Sequence, residues 1–194
     1  MRMEEYMRLI LFMLFASCAF AQNLVELRVA QNQYRYADYL HTFRNNAVAD
    51  VYYIGVPGAN EVTLGLGYQF KIQTLTLIPV AYVASVKEGP RIAAKFGLIG
   101  GLETGSWKSG FYLAHLLPLQ DGFSSYRILD ALDVTMKLGK RWELGGSFGL
   151  FHQDGKWTPQ YGPIVKMSDK HGQWGFSFRV GTGVEARFIR VWTF

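Results

Sequence analysis

The chain has 194 residues and a mass of 22.0 kDa, the length of one domain. Hydrophobic residues make up 49%, aromatics 15% and charged residues only 18%, with 21 glycines and a formal net charge of +5. The basic residues form no cluster, which speaks against a nucleic-acid binder. Beyond the first 22 residues no apolar run is long enough to be a membrane-spanning helix.

The N-terminus reads as a secretory signal peptide over residues 1–21. "MRLILFMLFASCAFAQ" carries basic Arg8, an apolar core from Leu9 to Phe15, and Ala19-Phe20-Ala21 as an A-x-A cleavage site. Glu4 and Glu5 stand where such a signal wants positive charge, so Met7 is read as the start and Gln22 as the mature N-terminus. Lipoprotein processing at Cys18 is the rival, with Phe15 where that signal usually carries Leu. Cleavage removes the single cysteine and with it any disulfide, thiolate metal site or cysteine nucleophile.

Residues 22–47 are ambiguous. "YADYLHTFRNN" fits a short amphipathic helix or one more strand. From residue 48 onward the polarity alternates in segments of about ten residues, the period of strands. "VTLGLGYQF" sets Val62, Leu64, Leu66, Tyr68 and Phe70 against Thr63, Gly65, Gly67 and Gln69; "LDVTMKLG", "WELGGSFGL" and "WGFSFRVG" repeat the pattern. Strands are predicted near 48–56, 61–71, 74–84, 91–101, 106–118, 130–139, 141–151, 159–168, 173–180 and 184–194. Those at 74–84 and 106–118 are apolar on both faces. Gly58-Ala59-Asn60, Gly139-Lys140 and Gly181-Thr182-Gly183 supply hairpin turn chemistry.

The fold class is therefore all-β: a single up-and-down antiparallel barrel over 48–194 with about ten strands, eight or twelve also fitting the rhythm. Alternation alone does not separate a soluble barrel, apolar inside around a ligand, from a transmembrane one, apolar outside. Two features favour the second. The polar face is rich in glycine and charge, like a crowded ion-paired interior. In addition, alternating the hairpins backward from a periplasmic C-terminus brings Phe70, Trp107, Trp142, Trp174 and Trp192 to one rim, with terminal Phe194 beside them. Such a ring of aromatics is the girdle of a membrane–water interface.

The ending "RFIRVWTF" resembles the C-terminal signature of bacterial outer-membrane β-barrel proteins, a terminal aromatic with apolar residues at alternate positions. Phe194, Trp192, Phe188, Ala186 and Val184 match it and Arg190 interrupts the stripe, on the lipid side where its head can snorkel to phosphates. The resemblance implies residence in the outer membrane of a Gram-negative-type bacterium, contact with lipid and lipopolysaccharide, and recognition of the last strand by the barrel-assembly machinery.

Lys71, Lys95, Asp133, Lys137, Glu143, Lys166, Arg179, Glu185 and Arg187 fall on the predicted inner face, with a basic excess. They read either as a salt-bridge lattice that fills the bore or as a pore lining with mild anion preference. His115, His152, Asp130 and Ser124 are predicted near the outer rim, where they would supply the parts of a hydrolase or acyltransferase site. Lipid A deacylases carry His-x-Ser, which His152-Gln153-Asp154 lacks, and "DYLHTFRNN" resembles only the N-terminal helix of the lipid A palmitoyltransferase. His41, His115, His152 and His171 show no metal-ligand spacing, and no cofactor or metal is predicted. The leading reading is a structural barrel or a narrow porin-like channel for small polar solutes. The rivals are a lipid A-modifying enzyme and a secreted soluble barrel that binds an apolar ligand.

Overall fold

A computed structural model describes residues 22–57, 59–87, 90–121, 124–181 and 183–194. The leader, with Met7 and Cys18, lies outside the described residues. The strands are β1 (Gln22–Ala30), β2 (Arg35–Thr42), β3 (Ala47–Val56), β4 (Ala59–Tyr68), the three-residue β5 (Phe70–Ile72) and β6 (Leu75–Lys87). There follow β7 (Pro90–Thr104), β8 (Trp107–Pro118), β9 (Tyr126–Leu138), β10 (Trp142–Gln153), β11 (Lys156–Asp169), β12 (Gly172–Gly181) and β13 (Val184–Thr193).

All pairings are antiparallel and, apart from the closure of the sheet, between strands adjacent in sequence, save that β4 and β5 do not pair with each other: β5 prolongs β4 past Gln69 along the same partner, β6. The sheet closes where β1 meets β13, from Leu24 opposite Thr193 to Ala30 opposite Arg187. With β4 and β5 counted as one stave, this is a closed barrel of twelve strands, and closure leaves no open edge. The expectation of about ten falls short by β1 and β2, both in the ambiguous segment 22–47. No helix forms there.

The apolar stripe points outward. Leu64, Leu66, Tyr68 and Phe70, Val134, Met136 and Leu138, and Trp174, Phe176 and Phe178 are exposed, while their alternates Thr63, Thr135, Ser177 and Arg179 are buried. A soluble barrel would leave this band in water at about 25 cal/mol for each Å² of apolar surface, so the band calls for lipid. Leu66, mid-strand and 73% exposed, is the sharpest probe. Leu66→Arg is expected to lower folding stability in lipid vesicles by about 2–4 kcal/mol, read as a shifted denaturant midpoint of the heat-modifiable gel band.

β6 and β8 alternate poorly because part of the interior is also apolar. Ile78, Val80 and Tyr82 of β6 join Leu40, Val48 and Tyr52 in one internal cluster. Leu116 of β8 packs with Ala84 and Ala93 in another.

The closing strand corrects one expectation. Arg190 is on the outer side, opposite outward-facing Trp174, but it does not reach for lipid phosphates. It is 4% exposed, its Nη1 lies 3.0 Å from Asp169, and its guanidinium sits 4.2 Å from the Trp174 ring centre and 5.0 Å from that of Trp192. The charge is neutralised within the protein, which is why an arginine is tolerated in that stripe.

Candidate functional site

The inner wall formed by β1 and β9–β13 carries a connected lattice of ion pairs. Its placement depends on a bulge in β9. Pairing slips by one residue between Phe148 and Leu150 on β10 and between Gly110 and Tyr112 on β8. The extra residue lets Asp130 and Asp133, three positions apart, both face inward.

Asp130 is the hub. It accepts hydrogen bonds from Arg179 Nη1 at 2.7 Å, Arg28 Nη1 at 2.9 Å and Arg187 Nη1 at 3.1 Å, so three guanidinium groups converge on one carboxylate. Each arginine has a second anchor. Arg28 forks onto Glu26 at 2.6 and 3.0 Å, Arg187 Nε donates to Glu185 at 2.8 Å, and Arg179 Nε donates to Ser147 Oγ at 3.0 Å. Ser147 Oγ in turn donates to Asp133 at 2.5 Å, and Lys166 Nζ lies 2.8 Å from that same carboxylate. Gly149 makes room for the hub, because a Cβ there would lie 3.0 Å from Arg179 Nη1. Toward the rim opposite Gln22 and Phe194, the β1–β2 turn covers the lattice: Asn32 Nδ2 donates to Glu185 at 3.1 Å, and the Tyr34 ring lies 4.6 Å from the Arg187 guanidinium carbon.

The opposite wall is built of tyrosine. Lys95, 1% exposed, donates to Glu61 and to Tyr126 Oη at 2.7 Å each and lies 5.0 Å from the ring centres of Tyr52 and Tyr126. Tyr126 also donates to Glu61, and Tyr82 donates to Asp50 at 2.6 Å. The Tyr82 ring occupies the space left by Gly65, whose Cβ would come within 2.2 Å of it. Asp38 and Asp50 each keep one buried oxygen without a hydrogen-bond partner among the described residues.

Of the residues expected inside, Lys95, Asp133, Glu143, Arg179, Glu185 and Arg187 are buried. Lys166 and Lys137 are partly buried, Lys137 paired with Glu103, while Lys71 is exposed at the barrel end. The expected basic excess does not hold. Buried acids are Asp38, Asp50, Glu61, Asp130, Asp133, Glu143 and Glu185, against the inward cations Arg28, Lys95, Arg179 and Arg187; Lys108, Lys137 and Lys166 add charge that is already paired. Of the carboxylates that restore balance, Glu61 continues the inward face of Thr63 and Gly65, Asp38 and Asp50 come from β2 and β3, and Asp130 is turned in by the bulge.

The rim group of His115, His152, Asp130 and Ser124 is not assembled. β9 begins at Tyr126, so Asp130 lies four residues inside it and faces the bore. His115 and His152 stand on either side of Arg127 in register with exposed Phe96 and Trp157, on the outer surface. Ser124 is exposed in the 119–125 connection. A base with its orienting carboxylate on the far side of the sheet performs no triad chemistry. Phe70, Trp107, Trp142, Trp174, Trp192 and Phe194 all lie at the rim that holds Gln22 and the C-terminus, and all but half-buried Trp192 are exposed. Among the described residues no group of three His, Cys, Asp or Glu could hold a metal.

A cavity of about 40 Å³ lies along the charged wall, lined by residues that include Lys166, Gln173, Asp133, Glu26, Arg28 and Arg179. That space admits only a few waters. It approaches the terminal rim at Gln173 and meets the lattice at Arg28 and Arg179.

The sequence matches no family model and no curated protein. Solved structures do resemble the fold. The KdgM porin superposes with a TM-score of 0.63 at 10% identity, covering 89% of this chain and 99% of that one, and the same values hold for KdgM porin in complex with disordered oligogalacturonate. The NanC porin gives 0.57 at 11% identity, covering 89% of this chain and 98% of that one. At such identity the likeness is one of fold: the closed antiparallel barrel of outer-membrane porins.

Proposed function

We propose that the chain is an integral outer-membrane barrel that acts as a narrow, porin-like channel for small polar solutes. The observation that carries this reading is the inversion of the molecule, with an apolar band outside and a connected file of ion pairs from Lys166 to Glu185 inside. A polar file of this kind replaces the hydration of a passing solute, and the charged ends of the lattice form its constriction. Each cation of the file is matched by a carboxylate, so the favoured solute carries no large net charge. In this reading the terminal rim faces the periplasm, its aromatics form the interface girdle, and β13 with Phe194 is the segment read by the assembly machinery.

A second reading, a purely structural barrel, is favoured by the two apolar clusters that fill the β2–β8 side and by the small size of the cavity. Planar-bilayer recording decides between them. Small, resolved current steps from protein whose folding has been verified by heat-modifiable migration are expected. Flat traces from the same folded protein would leave the structural barrel.

A further inference from the structure

Two arginines on the outer surface near opposite rims are treated differently by the fold. Arg190 is enclosed by Trp174 and Trp192 and neutralised by Asp169. Arg127, the second residue of β9, is exposed, and among the described residues it has no hydrogen-bond or ion-pair partner. It does have neighbours of its own kind. The β8–β9 register sets His115 directly beside it, and the β9–β10 register sets His152 on its other flank. Paired residues of an antiparallel ladder share a face, and exposed Phe96 and Trp157 at the two ends of the row show that this face is the outer one. Trp157 holds the His152 ring at 4.2 Å between centres, which fixes the imidazole.

Resting on the membrane reading above, we propose that His115, Arg127 and His152 form a binding site for the phosphates of a lipid A-type glycolipid in the leaflet around this rim. The row lies within three residues of the strand ends, where a barrel meets headgroups. Strands are about 4.8 Å apart, so the three donors span about 10 Å, wider than one phosphate and suited to a headgroup that carries more than one. Arg127 supplies a planar fork for a phosphate, and the imidazoles add N–H donors at its sides. Trp157 offers an apolar ring with a polar edge at the level of the sugars. Asp121 and Asp154, the nearby carboxylates, are exposed in the connections beyond the strand ends, on the water side of the row. An anion held here therefore meets the Arg127 guanidinium and the imidazole N–H groups first.

The test uses the full barrel folded into nanodiscs and native mass spectrometry, with diphosphoryl lipid A, dephosphorylated lipid A and phosphatidylglycerol as separate probes. Wild type should retain diphosphoryl lipid A in preference to the other two. Arg127→Gln should lose about tenfold of that retention, as expected for one charge-assisted contact, whereas Arg35→Gln, an exposed arginine of β2, should not. Equal retention by wild type and Arg127→Gln overturns the site, as does equal retention of the three lipids. A chain that never enters the discs overturns the membrane reading and the site with it; a folded barrel without phosphate discrimination overturns the site alone.

Discussion

Asp130→Asn should destabilise the folded barrel by about 3–5 kcal/mol and, in the channel proposed above, turn the current toward anions. The carboxylate is buried and takes hydrogen bonds from Arg28, Arg179 and Arg187. Asparagine keeps the shape and loses the charge, and its amide group presents donors to guanidiniums that are themselves only donors. Arg28 and Arg187 fall back on Glu26 and Glu185, while Arg179 keeps only Ser147 and a carboxylate oxygen of Asp133 at 3.9 Å. The expected loss thus centres on Arg179. The stability arm is a urea titration in lipid vesicles. The selectivity arm is the reversal potential in a salt gradient kept near 0.1 M, where charges act over about 10 Å. Asp154→Asn is the control, since Asp154 is an exposed turn residue at φ +50°, a conformation asparagine tolerates. An unchanged midpoint and reversal potential in Asp130→Asn would remove Asp130 from the centre of the lattice.

Most of the barrel wall was legible in the sequence because lipid imposes a strict rule on the outer face. From β3 onward nearly every alternate residue had to be apolar, and each strand predicted from residue 48 is present within a few residues of its expected ends. β2 broke the rule. In "YADYLHT" the inner face carries Tyr36, Asp38 and Leu40, and the outer face Ala37, Tyr39 and His41, so neither face is distinctly polar. The outer pair is tolerated because Tyr39 Oη and His41 Nδ1 both meet Asn23 Oδ1, at 3.0 and 2.7 Å, and the Phe43 ring covers His41. Such a satisfied polar cluster has no period-two signature, and the same letters suit an amphipathic helix.

The interior was legible in kind and not in balance. Charges at alternate positions announced a lattice, but its hub could not be read, because strict alternation from Asp133 sends Asp130 outward. Only the bulge brings both inside. One sign in the sequence pointed to large side chains within: Gly65 and Gly149 on the inner face leave space for the Tyr82 ring and the Arg179 guanidinium. A glycine at an inward position is the partner of something bulky opposite, though the sequence does not say what.

The second large effect is expected at Lys95, where the direction of the imbalance decides the outcome. Among the described residues of β2–β8 the buried acids are Asp38, Asp50 and Glu61, and the buried cation is Lys95. Lys95→Met should therefore cost about 3–5 kcal/mol, because it leaves Glu61 and its neighbours without a counter-charge. Glu61→Gln should cost less, since Lys95 keeps Tyr126 Oη and its position over two tyrosine rings. The pair is coupled by a direct contact of 2.7 Å, so the double variant Lys95→Met/Glu61→Leu should recover much of the single loss, as replacing a buried ion pair by apolar side chains commonly does. Denaturant midpoints of the three variants against wild type check the ranking. If Glu61→Gln proves as costly as Lys95→Met, the charge deficit of this wall does not govern its stability, and packing around the tyrosines does.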